Sequence, residues 1–118
     1  MDTITVRTAF QGIHCWPEAP DSVAFLRNPH RHVFNVEVSL YISESREVEF
    51  FEFRNILDLK VIPRLGMPYH FENPTTDLGS MSCEYICKDL HSYLSELDFN
   101  VASITVREDE ENSATLTF

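Results

Sequence analysis

Residues 30–43 place an apolar side chain at every second position, through Phe34, Val36, Val38, Leu40 and Ile42. Two residues is the side-chain period of a β-strand, so this stretch predicts a strand with one apolar face. His30 and His32 open the run. They point to the same side of it, roughly 6.5 Å apart along the chain. Residues 3–14 alternate in the same way, with Ile4, Val6, Thr8 and Phe10 on one face, and end at His14. If the two strands pair antiparallel, His14 comes up beside the other two histidines. Three imidazoles on one wall with a fourth position open is the layout of a catalytic zinc site. The plainer alternative is a set of scattered surface or core histidines, since His-x-His is common on strands that hold no metal.

A chain of 118 residues fits one domain, residues 1–118, with one modest core. Its 43% hydrophobic and 12% aromatic content is that of a globular protein rather than a disordered one. The formal net charge of −10 argues against binding to nucleic acid or to an anionic membrane surface. It does not exclude an anionic small ligand, because a metal and a few arginines can dominate a site locally. No apolar run approaches the length of a membrane span. The stretch Met1-Asp2-Thr3-Ile4-Thr5 lacks the basic and apolar regions of a signal peptide. The three cysteines, Cys15, Cys83 and Cys87, form no disulfide framework, and cytoplasmic residence is the expectation.

Gly12 interrupts the first strand just before His14 and suggests a bulge. Residues 15–29 contain Pro17, Pro20 and Pro29 and read as a long loop. After the second strand comes a polar turn, Ser43-Glu44-Ser45-Arg46, and then an extended Glu47-Val48-Glu49-Phe50. A helix is predicted over about 51–62, with Phe53, Ile56, Leu57 and Lys60-Val61 as its inner stripe and Pro63 as its stop. Residues 63–76 read as irregular. A second helix is predicted from Thr76 or Asp77 to about Leu97, with Leu78, Met81, Tyr85, Ile86, Leu90, Tyr93 and Leu94 at helical spacing. Cys83 and Cys87 lie one turn apart on it, and without flanking ligands they read as buried structural residues. Strands three and four are expected at 101–107 and 114–118, joined by the acidic turn Glu108-Asp109-Glu110-Glu111-Asn112. Glu108 has the parity of Ile104 and Val106 and stands apart. Asp109 to Glu111 read as a solvated hairpin tip.

This order of elements, with a histidine ending the first strand and His-x-His opening the second, resembles the tunnelling-fold enzymes related to 6-pyruvoyltetrahydropterin synthase and 6-carboxytetrahydropterin synthase. Phe10-Gln11-Gly12-Ile13-His14 resembles the family's Phe-x-x-x-His zinc ligand, and His30-Arg31-His32-Val33-Phe34 its His-Gly-His-aromatic strand. Val48-Glu49-Phe50 with Phe53 resembles its Val-Asp-Phe-x-x-Leu opening of the first helix. Pro74-Thr75-Thr76-Asp77 resembles the Pro-Thr-x-Glu start of its second helix, and Glu108 the acid that anchors the pterin ring. The resemblance spans almost the whole chain. It implies an α+β tunnelling fold: a four-stranded antiparallel sheet in the order ββααββ, with two helices on one face. Protomers would join edge to edge into a barrel, as ring-shaped homo-oligomers. It further implies zinc on His14, His30 and His32, a reduced pterin or related purine-derived ring on Glu108, and lyase or isomerase chemistry.

The departures from the family pattern fall on the proton-transfer residues. The family's catalytic cysteine precedes its His-x-His, where this chain has Ala24-Phe25-Leu26-Arg27-Asn28-Pro29. Its Asp-His pair corresponds to Tyr69-His70, and its central glycine to Arg31. His70 becomes the candidate base. Cys15, next to His14, is a candidate replacement nucleophile, although adjacent strand residues face opposite ways. Arg27 and Arg31 could neutralise a phosphate or carboxylate, Arg31 from the strand face away from the zinc, and Thr75 is placed to touch substrate. Two other readings stay open: a zinc protein that binds a pterin or deazapurine without turning it over, and a structural member of the fold without zinc.

Overall fold

The structure, a computed structural model, describes residues 1–68 and 75–118. The two alternating runs form long strands, β1 (Asp2–His14) and β2 (His30–Ile42). They pair antiparallel in unbroken register from Asp2 opposite Ile42 to His14 opposite His30. A one-residue slip would turn every apolar side chain of β2 to the wrong face, and the alternation guards against it. Phe34, Val36, Val38 and Leu40 are almost fully buried, while Asn35, Glu37 and Ser39 between them are half-buried and Arg31 and Val33 before them are exposed.

The first helix is shorter than expected and changes pitch. α1 spans Phe50–Ile56, a wider turn follows over Leu57–Val61, and a tight turn over Ile62–Arg64. Glu49 caps α1 by accepting a hydrogen bond from the Glu52 amide at 2.8 Å. Pro63 does not stop the helix at once. It sits in the first turn of the final tight segment, where its missing N–H is not needed.

The sheet has six strands rather than four, in the order β3-β4-β1-β2-β5-β6. The two unexpected strands are short: β3 is Met67–Pro68 and β4 is Thr76–Gly79. β4 runs parallel to β1, so the sheet is mixed rather than purely antiparallel. Thr76 and Asp77 therefore do not start the second helix. α2 spans Cys83–Glu96 and is capped by Ser82, whose side chain accepts a hydrogen bond from the Tyr85 amide. β5 (Val101–Glu108) and β6 (Asn112–Thr117) complete the sheet as an antiparallel hairpin, both close to their expected positions.

Both helices lie against the apolar face of the sheet, α1 nearest β1 and α2 nearest β5 and β6, in one cluster that contains Phe34, Val38, Phe53, Leu57, Ile86, Leu90, Leu94 and Ile104. Cys83 and Cys87 fall on the buried stripe of α2 with Ile86, Leu90 and Leu94. Gly12 does not bulge β1 away from β2. The irregularity is on the other side, between Ile13 and His14 where β1 meets β4. Close packing explains the glycine: a Cβ there would lie 2.8 Å from both Leu78 Cδ1 and Phe34 Cε2. Among the described residues no helix is long and apolar enough to cross a membrane.

Candidate metal centre

β1 and β2 deliver His14, His30 and His32 to one end of the sheet. His14 stands opposite His30 across the ladder, and His32 follows two residues along the same face. The ring centroids are 4.6 Å apart for His14 and His30, 5.3 Å for His14 and His32, and 5.0 Å for His30 and His32. One nitrogen from each ring lies within 4.8 Å of the others, so the three can hold a metal ion.

The second nitrogen of each ring is tied down. His14 Nδ1 lies 2.8 Å from the Met81 carbonyl oxygen, and His30 Nδ1 lies 2.9 Å from that of Asn28. His32 Nδ1 lies 2.6 Å from Asp109 Oδ2. Carbonyl and carboxylate oxygens only accept, so each Nδ1 carries the proton and donates it. In the neutral ring this tautomer leaves Nε2 with a free lone pair, the form a metal ligand needs. His14 Nε2 is buried with no hydrogen-bond partner. A buried nitrogen left that way carries a desolvation cost that a bound cation would relieve. Burial also holds the His14 pKa below its ordinary value, with the neighbouring His30 adding to the effect, and keeps the ring neutral. The donor set and its protonation fit zinc, whose bonds to imidazole nitrogen are about 2.0–2.1 Å.

Glu108, the last residue of β5, reaches the same place. Its Oε1 is 3.5 Å from His14 Nε2, and its Oε2 is 3.7 Å from His32 Nε2. Cys83 Sγ lies 3.5 Å from Glu108 Oε1. Burial first, and then the Glu108 charge, push the Cys83 thiol up to about 12, so it stays protonated and donates to the carboxylate. Cys83 is buried in the core stripe, as expected, and it also lines the cavity beside His14 and His30. That cavity has a volume of about 430 Å³ and is bordered by Trp16, Leu26, Met81, Ser82 and Glu84 besides His14, His30, Cys83 and Glu108. Ser82 and Glu84 place a capping hydroxyl and an acid at the true start of α2, the pattern expected instead at Thr75 to Asp77.

Cys15 also borders the cavity and is half-buried. Thr75 does not: it is buried beside Phe10, Gln11 and Asp58 in a separate cavity. The 15–29 stretch is not loop throughout: Asp21–Arg27 wind into tight helical turns, and Arg27 at their end donates to the Ala19 carbonyl and pairs with Asp21. His70 lies outside the described residues, as do Tyr69 and Pro74. Asp109 is exposed at the hairpin tip, as expected, but it also makes contacts that the sequence does not show. Its carboxylate holds both His32 Nδ1 and the Val33 amide, and these bonds keep its pKa below its ordinary value.

No protein-family model and no curated protein matches the sequence. Solved structures do match. An uncharacterized protein from Wolinella succinogenes aligns with a TM-score of 0.64 at 17% identity, over 98% of this chain and 97% of its own. The 6-pyruvoyl tetrahydropterin synthase of Caenorhabditis elegans aligns with a TM-score of 0.61 at 12% identity, over 99% of this chain and 95% of its own. At these identities the likeness is one of fold, and on that ground the chain has a mixed α+β fold similar to the tunnelling fold of a 6-pyruvoyl tetrahydropterin synthase.

Proposed function

We propose that the protein is a zinc-dependent enzyme of the lyase or isomerase type, acting on a reduced pterin or a related purine-derived ring. One observation carries this reading. Three histidines on two paired strands have their Nδ1 atoms turned to fixed acceptors, and one nitrogen of each ring comes within 4.8 Å of the others beside a cavity that His14 and His30 line. His14, His30 and His32 would hold the metal. Zinc held this way polarises a ligand hydroxyl or carbonyl and lowers the pKa of the protons beside it.

Glu108 would anchor the ring. A carboxylate accepts from the two donors that a pterin or guanine presents on its N3–H and 2-amino edge. Cys83 donates to that carboxylate and steadies its orientation. Trp16 stands half-exposed at the cavity rim, where its ring can cover a flat heterocycle. Cys15 at the rim and His70 are the candidates for proton transfer. Thr75 and Arg27 would touch substrate only across a boundary with another copy of the chain. Such a boundary agrees with a ring-shaped homo-oligomer, and the unpaired cysteines agree with residence in the cytoplasm.

A second reading, binding without turnover, is favoured by Cys83. Its thiol is held protonated next to the carboxylate and is no nucleophile. Metal analysis, ring binding and turnover separate the two. The purified protein should carry one zinc per chain. Glu108→Gln should weaken pterin binding to the zinc form by roughly 2–4 kcal/mol, because a donor replaces an acceptor at a contact that the bound ring would bury. Loss of dihydroneopterin triphosphate, followed by absorbance, marks the enzyme. Tight binding without that loss marks the second reading, and unchanged pterin affinity in the Gln variant removes Glu108 from the site.

A further inference from the structure

The hairpin between β5 and β6 turns through two non-glycine residues in the left-handed region, Asp109 at φ 52° and Glu110 at φ 63°. The Glu111 amide donates back to the Glu108 carbonyl at 2.9 Å, which closes the turn. Two consecutive positive φ values are the signature of a tight hairpin turn in which glycine or asparagine is usual. Each such residue stores strain, and strain persists where the surroundings impose it.

Here the surroundings are the first residues of β2. The Asp109 amide donates to the Val33 carbonyl at 2.9 Å. Its Oδ1 accepts from the Val33 amide at 2.8 Å, and its Oδ2 accepts from His32 Nδ1 at 2.6 Å. The residue therefore grips the backbone of β2 and the side chain of His32 at once. It does so just past Glu108 opposite Phe34, the last residue pair of β5 with β2.

We propose that Asp109 is a positioning residue for the metal centre: its carboxylate, held by the left-handed turn and by Val33, fixes the ring plane and tautomer of His32. This rests on the reading of the three histidines as a metal site. The other two rings are oriented by carbonyls of Asn28 and Met81, which are neutral acceptors. Only His32 is backed by a charge, and a carboxylate behind an imidazole raises its strength as a ligand. His32 is also the ring that the backbone constrains least from behind, since no described carbonyl takes its Nδ1 proton. With Asp109 removed, that proton has solvent as its partner and the ring is free to rotate or to swap tautomers.

Two substitutions divide this role from a merely structural one. Asp109→Gly supplies the residue the turn prefers, which offsets the lost bond from the Val33 amide, so the metal-free protein should melt close to wild type. Its zinc affinity, measured by competition with a chromophoric chelator, should nevertheless fall about 10–100-fold, the usual cost of losing such a partner. Asp109→Asn keeps an acceptor without the charge and should fall between the two. Cobalt(II) substituted into each protein reports the ligand field directly, and the visible band of the Gly variant should shift or weaken. Wild-type zinc affinity and a wild-type cobalt spectrum in both variants would overturn the proposal. A wild-type protein that takes up neither metal would instead overturn the metal-site reading on which it stands.

Discussion

His14 is the residue on which burial and chemistry act most strongly together. It is 9% exposed, its Nε2 has no partner, and burial keeps its pKa below the ordinary 6.5. In the unfolded chain the ring gains a proton as the pH falls through about 6.5, whereas the folded ring resists. Between those two values the unfolded state binds more protons, so acid favours it. The metal-free protein, kept so with chelator, should therefore lose thermal stability as the pH drops below about 6.5. His14→Gln should flatten that part of the profile, and identical profiles for the two proteins would contradict the assignment. The parity of His14, His30 and His32 was legible because strand alternation determines it. Asp109 was not, because an acid in an acidic turn has the composition of a solvated tip. Only the left-handed turn aims it back at His32, and a run of Glu and Asp does not announce such a turn.

Among the elements, the long alternating strands were readable and the short ones were not. Thirteen residues of alternation in β2 outweigh any competing pattern. Four residues in β4 and two in β3 carry almost no periodic signal. The hydroxyl and acid at Thr76 and Asp77 suggested a helix start that Ser82 and Glu84 provide instead. The Gly79 φ of +60° ends β4 and sends the chain toward α2. Gly12 ties these elements together, because its bare Cα lets Leu78 of β4 and Phe34 of β2 close over β1. Both neighbours are buried and cannot swing away. Gly12→Ala should destabilise the protein by about 1–3 kcal/mol through overpacking. Chemical denaturation measures this, and an unchanged midpoint would show that the β1–β4 contact yields freely.

On the scale of the whole molecule, β6 ends the sheet on one side and the two-residue β3 on the other. The outer ladder of β6 has no partner strand among the described residues, and an open edge of that kind invites pairing with another copy. Light scattering at micromolar concentration should give a multiple of the chain mass, and a monomer that still binds a pterin would rule out a shared site. The fold similarity at 17% and 12% identity shows how little of such an architecture depends on particular residues. The way the imidazoles are held has a bearing on this. Two of the three are oriented by main-chain oxygens, at Asn28 and Met81, which every amino acid possesses. For the purpose of aiming His14 and His30, positions 28 and 81 can drift through the amino-acid alphabet without consequence. A saturation library screened for zinc uptake should show this as broad tolerance at both positions beside strict demand at 14, 30, 32 and 109. The centre is then specified by about four letters, with the backbone supplying the rest of its grammar.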